Sequence, residues 1–135
     1  MNATAVNILL IEDNPGDVRL VRTMLETSKN PSFEVQHAKT LRSGLDRLKS
    51  KRADVVLLDL GLPDQTGFDT FFDMLAYTNG IPIIILTGSD LRPLVESSLR
   101  DHAAAFLDKF DLNEERLVKA IRRAIAHKPR RVHDA

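Results

Sequence analysis

One stretch constrains the fold more than any other: Ala53-Asp54-Val55-Val56-Leu57-Leu58-Asp59-Leu60-Gly61-Leu62-Pro63. A run this apolar suits a strand covered on both faces, as in a parallel sheet between helices. It ends in a carboxylate, Asp59, and Gly61 and Pro63 then force the chain to turn. In an open α/β sheet, ligands bind beyond the carboxyl ends of the strands. An acid there is placed for chemistry rather than for packing.

The rest of the chain repeats the theme. Val6 to Ile11 reads as a first buried strand, closed by Glu12-Asp13. Asn14 is a helix cap with Pro15 behind it, and Val18, Val21, Met24 and Leu25 follow at helical spacing until the pattern fades between Ser28 and Pro31. Ser32 to Ala38 alternates apolar and polar, as a half-buried edge strand does. Thr40 caps a second helix with Leu41, Gly44, Leu45 and Leu48 on its apolar face. The central strand spans Ala53 to Leu58, and Gly67 to Tyr77 is a third helix whose apolar face is expected to hold Phe68, Phe71, Phe72 and Leu75. Asn79-Gly80 is a turn signal. Ile81 to Leu86 is the most apolar strand, with Pro82 tolerated at its start. It leads through Thr87 to a fourth helix with Leu91, Leu94, Val95 and Leu99, whose first turn accommodates Pro93. Ala103 to Asp108 is a weaker strand ending in Lys109. Asp111-Leu112-Asn113-Glu114 has the pattern of a capping box for a last helix carrying Leu117, Val118, Ile121 and Ile125.

Five strands alternating with five helices predict an α/β fold, a doubly wound five-stranded parallel sheet of flavodoxin-like order 2-1-3-4-5, (βα)5. Short connections, with no repeat or linker, predict a single domain over 1–135, with its core at about 6–127 and a short basic tail over 128–135. Lysine plus arginine and aspartate plus glutamate both number 19, so the basic excess expected of a nucleic-acid binder is absent. Without cysteine there is no disulfide or thiolate chemistry. The N-terminus lacks a signal-peptide pattern, and no apolar run approaches the ~20 residues of a membrane span. The expectation is a cytoplasmic protein with neither nucleic-acid nor membrane partner.

Polar groups close four of the five strands: Glu12-Asp13, Asp59, Thr87 and Lys109. In the order 2-1-3-4-5, strands one and three are neighbours, so Asp13 and Asp59 face each other across the crevice at the topological switch. Clustered carboxylates disfavour one another's ionised form, and a hard divalent cation relieves this. Mg²⁺ needs only two carboxylates and a main-chain carbonyl, keeping waters elsewhere. Lys109 offers a point charge and Thr87 a hydroxyl, both suited to phosphate oxygens. Each residue taken singly has a plainer reading, Glu12-Asp13 as helix-start acids and Lys109 as a partner of Asp108 or Asp111. It is the joint arrangement that points to a site.

Ile8-Leu9-Leu10-Ile11-Glu12-Asp13-Asn14, Val56 to Pro63 with Gly67, Ile83 to Gly88, and Phe106-Leu107-Asp108-Lys109 together resemble the receiver domain of two-component response regulators, over about residues 6–127. The stretch Glu12 to Asp17 is similar to single-domain, chemotaxis-regulator-like receivers, and among them to those paired with phytochrome-type kinases. The resemblance implies that Asp59 accepts a phosphoryl group from a sensor histidine kinase or histidine phosphotransfer protein in a Mg²⁺-dependent reaction. Asp13, Asp59 and the Gly61 main-chain carbonyl would bind the metal, and Glu12 would act through a metal-bound water. Lys109 and Thr87 would contact the phosphate, with charge neutralisation and positioning supplying most of the catalysis. The domain would catalyse its own phosphorylation and slow dephosphorylation, and so act mainly as a switch. Thr87 drawn inward would let Phe106 turn into the vacated space, changing a surface at about residues 90–127 through which a homodimer could form. Because the chain ends soon after the last helix, output is expected through protein contacts alone.

One departure stands out. The family usually carries proline after the lysine, and this chain has Phe110; a cis bond there would cost ~2.5–4 kcal/mol, so either that strain is held or the loop takes another path. Rival readings fit less well. A haloacid-dehalogenase-type phosphotransferase wants a second aspartate two residues after the first, where Gly61 stands. A flavodoxin-like cofactor binder wants a phosphate-cradling loop where Glu12-Asp13 would repel phosphate. A phosphorylation-independent docking module would have no need of the five site positions, all of which are filled.

Overall fold

A computed structural model describes residues 5–29, 32–62, 68–78, 80–88 and 92–127. Strands β1 (Val6–Ile11), β2 (Phe33–Ala38), β3 (Val55–Asp59), β4 (Ile83–Thr87) and β5 (Ala105–Asp108) form one parallel sheet in the order β2-β1-β3-β4-β5. Helices α1 (Pro15–Glu26), α2 (Leu41–Ser50), α3 (Phe68–Thr78), α4 (Arg92–Leu99) and α5 (Glu114–Ala126) connect and follow the strands. The fold is the doubly wound α/β arrangement expected from the sequence.

Alternation along the strands divides the core into two layers. Ile8 and Leu10, Val55 and Leu57, and Ile84 and Leu86 face α1 and α5, meeting Val18, Val21, Leu25, Leu117, Ile121 and Ala124. Leu9 and Ile11, Val56 and Leu58, and Ile83 and Ile85 face the other way, onto Leu41 of α2, Phe71 and Met74 of α3, and Val95 and Leu99 of α4. The apolar runs Ile8–Ile11 of β1, Val55–Leu58 of β3 and Ile83–Leu86 of β4 are continuous because each is covered on both faces. β2, at an edge, is buried only at its ends, Phe33 and Ala38, with Glu34 exposed and Val35 to His37 half-buried.

Local signals explain most boundaries. Asn14 Oδ1 accepts the Asp17 N–H at 3.0 Å and Pro15 opens α1. Thr40 Oγ1 accepts the Ser43 N–H at 3.0 Å in a capping box. Gly80 takes φ 92°, the left-handed conformation that glycine tolerates. Pro31, Pro63, Gly67, Asn79, Leu91 and the tail 128–135 lie outside the described residues.

Three local expectations need correction. The cap of α5 is Asn113, whose Oδ1 accepts the Arg116 N–H at 2.8 Å, rather than Asp111. Asp111 instead pairs with the Arg116 guanidinium from the preceding single 3-10 turn, Lys109–Asp111. Phe72 and Leu94, read as core residues, are 45% and 55% exposed, and Thr70, Met74 and Thr78 fill the inner face of α3 with Phe71. On short helices the apolar stripe is wide enough that one outer position stays wet.

Candidate functional site

The register of the sheet builds the site. Ile11 pairs with Leu58, so the next residues on these neighbouring strands, Glu12 and Asp59, arrive together at the carboxyl edge. Asp59 pairs with Leu86, and Thr87 with Asp108, which brings Thr87 and Lys109 to the same edge. Sequence reasoning placed these residues at strand ends, and pairing converts that into proximity.

Glu12, Asp13 and Asp59 each present an oxygen within 4.8 Å of the others. Glu12 is fully buried and Asp59 is 7% exposed, whereas Asp13 faces solvent. Gly61 turns its N–H back to Asp59 Oδ1 at 3.0 Å, and Asn14 donates its N–H to Glu12 Oε2 at 3.2 Å. His37 Nε2 lies 2.7 Å from the main-chain oxygen of Glu12, tying β2 to the site.

Lys109 reaches into this cluster rather than to Asp108 or Asp111. Its Nζ stands 2.7 Å from Glu12 Oε1, 3.1 Å from Asp17 Oδ2 and 3.4 Å from Asp59 Oδ2. The Glu12 Oε1 contact is an ion pair without the alignment of a hydrogen bond, leaving that buried oxygen short of a good donor. Burial pushes the Glu12 carboxyl up, Asp59 beside it adds to the rise, and Lys109 opposes it, with a net value of about 7. Burial alone would lower the Lys109 ammonium, but the close contact with the Glu12 carboxylate, the charge of Asp59 and the hydrogen bond to Asp17 raise it to about 12.

Asp17 is the participant the sequence reading passed over. Its sequence signal is an acid in the first turn of a helix that starts at the site.

Thr87 is buried at the end of β4, and Phe106 packs half-buried against the layer of α2, α3 and α4. After Lys109, the Phe110 N–H donates to Asp108 Oδ1 at 2.9 Å, a bond that proline could not make. The Phe110 ring, 85% exposed, lies over Gly88 and borders a cavity of about 1000 Å³. Glu12, Asp13, Asp59, Thr87 and Lys109 line the polar side of that cavity, and Phe68, Leu94, Val95 and Phe110 the apolar side.

The response regulator receiver domain matches residues 8–122, and the chain belongs to that family. It is a receiver domain of the two-component signalling type. Protein PilH of Pseudomonas aeruginosa is 30% identical over 121 residues, covering 88% of this chain and 97% of PilH. The receiver domain of the sensor histidine kinase PA1611 from Pseudomonas aeruginosa PAO1, solved with a magnesium ion coordinated in its active site cleft, is 25% identical with a TM-score of 0.78, covering 92% of this chain and all of that one. The bacteriophytochrome response regulator RtBRR is 26% identical with a TM-score of 0.75, over 97% of this chain and 84% of that one. The chain spans about half the length, or less, of several transcriptional and motility regulators it also matches.

The residues present fit a divalent cation. Three clustered carboxylates, one of them buried with an oxygen lacking a well-aligned donor, form the hard-oxygen donor set that Mg²⁺ takes. Among the described residues no helix is long and apolar enough to cross a membrane.

Proposed function

We propose that this receiver is a phosphorylation switch in which Asp59 accepts a phosphoryl group from the phosphohistidine of a sensor kinase or a histidine phosphotransfer protein. The observation that carries the reading is the convergence of Glu12, Asp13 and Asp59 with the Lys109 ammonium, delivered from three different strand ends to one edge. An Asp59 carboxylate oxygen forms the bond to phosphorus as the phosphorus–nitrogen bond breaks and the imidazole leaves. Asp13, Asp59 and the Gly61 main-chain carbonyl would hold Mg²⁺, and Glu12 would act on it through a water. The metal supplies charge neutralisation for the transferring oxygens. Lys109 and the Thr87 hydroxyl receive the phosphoryl oxygens, and Phe106 follows Thr87 to alter the surface around α4, β5 and α5. The magnesium of the PA1611 receiver supports the metal assignment, and RtBRR supports a phytochrome-type kinase as the input.

Incubation with Mg²⁺ and a small phosphodonor should add one acid-labile phosphoryl group, measured by intact mass. Asp59→Asn should abolish the addition, and labelling that survives the change would overturn the assignment.

A further inference from the structure

Lys109 sits where a metal's charge belongs. Two of the three carboxylates around its Nζ, Glu12 and Asp59, are members of the cluster that fits the cation. The third, Asp17, is not. An ammonium and a divalent cation repel strongly at the distances within this cluster. For the cation to take Glu12 and Asp59, Lys109 must give up its close approach to them. It can do so without losing every anionic partner only if a carboxylate outside the cluster already holds it.

Asp17 is built for that part. Asn14 Oδ1 fixes the Asp17 N–H at 3.0 Å, and Pro15 sets the first turn of α1. A Cβ on Gly16 would come within 3.2 Å of Asn14 Oδ1, so the small residue keeps the cap tight. The Asp17 side chain is one-third exposed and bridges 92 residues of sequence to Lys109 at 3.1 Å. The plain reading, an acid favoured by the helix dipole, explains its position but not its contact.

We propose that Asp17 is a positioning residue that retains Lys109 on the α1 side of the site, so that Mg²⁺ can enter the Glu12–Asp13–Asp59 cluster against less competition. This rests on the metal-binding reading given above. Removing Asp17 leaves Lys109 to Glu12 and Asp59 alone, and the ammonium then competes more strongly with the cation. The loss of one negative charge also weakens cation binding through space, independently of Lys109. A double-mutant cycle separates the two effects.

Mg²⁺ affinity is measured by calorimetry on the full chain at about 0.15 M salt, where the Debye length is about 8 Å, for wild type, Asp17→Asn, Lys109→Met and the pair. Asp17→Asn is expected to weaken Mg²⁺ binding roughly five-fold with Lys109 present and less than about two-fold with Met at 109, a coupling of the size seen for partly exposed ion pairs. Asp17→Glu should restore most of the affinity. Equal losses in the two backgrounds, or a gain in affinity on Asp17→Asn, would overturn the role of Asp17. If wild type and Lys109→Met both fail to bind Mg²⁺, the metal site itself is refuted, which is a distinguishable outcome. Circular dichroism melts of each variant confirm that the folded protein is being titrated.

Discussion

Asp13→Asn should make the metal-free protein more stable. An Asp13 oxygen lies within 4.8 Å of an oxygen of Glu12 and of one of Asp59, and among the described residues no cation pairs with it. Two unit charges at that separation repel by about 3.5 kcal/mol at an effective dielectric of about 20, and by about 0.9 kcal/mol in bulk water. Because Asp13 is exposed, its two repulsions fall toward the lower figure, about 2 kcal/mol together. Asparagine keeps the shape and removes the charge. For a chain of this length that is a rise in Tm of roughly 5–10 °C. The assay is thermal unfolding in chelator at about pH 8, above the Glu12 value of about 7, so that Glu12 is ionised. Added Mg²⁺ should stabilise wild type by mass action and the variant much less, closing the gap. The reasoning fails if the variant melts at or below wild type without metal, or if both gain equally from Mg²⁺.

The same cluster sets a pH dependence. Glu12 in the folded chain holds its proton up to about pH 7, above the ordinary value of 4.5, so between those values the native state binds more protons than the unfolded one. Metal-free stability should therefore decline as pH rises from about 4.5 through about 7 and level off above it, and Glu12→Gln should flatten that decline in urea titrations. Gly44→Ala should cost about 1–3 kcal/mol despite alanine's better helix propensity, because the new Cβ would stand 2.5 Å from Cδ1 of the fully buried Ile11; a neutral or stabilising result in chemical denaturation would show that Ile11 repacks freely. Phe110→Ser should leave the melting temperature within about 2 °C, since the ring is 85% exposed, while weakening partner binding or self-association measured by calorimetry and gel filtration. Unchanged affinity and oligomeric state would remove Phe110 from any contact surface.

Much of this protein was legible in the residues alone. The apolar runs of β1, β3 and β4, the caps at Asn14 and Thr40, and the carboxylates closing β1 and β3 are local signals, each resting on neighbours a few positions away. Period and capping chemistry do not depend on the rest of the chain, and they determined the alternating elements and hence the sheet order. What tertiary structure decided was everything that depends on packing between distant segments. Phe72 and Leu94 carry the right hydrophobicity for a core, yet the sheet left them outside. Asn113 rather than Asp111 became the cap, because Asp111 was drawn into the 3-10 turn and onto Arg116. The same holds at the site. Sequence spacing identified Glu12, Asp13, Asp59, Thr87 and Lys109 as strand-end residues, but only the Ile11–Leu58 register and the reach of Lys109 across 92 residues brought Asp17 among them. Long-range electrostatic partners are chosen by where the backbone delivers each charge, and that is written in the pairing of strands rather than in any single stretch of chain.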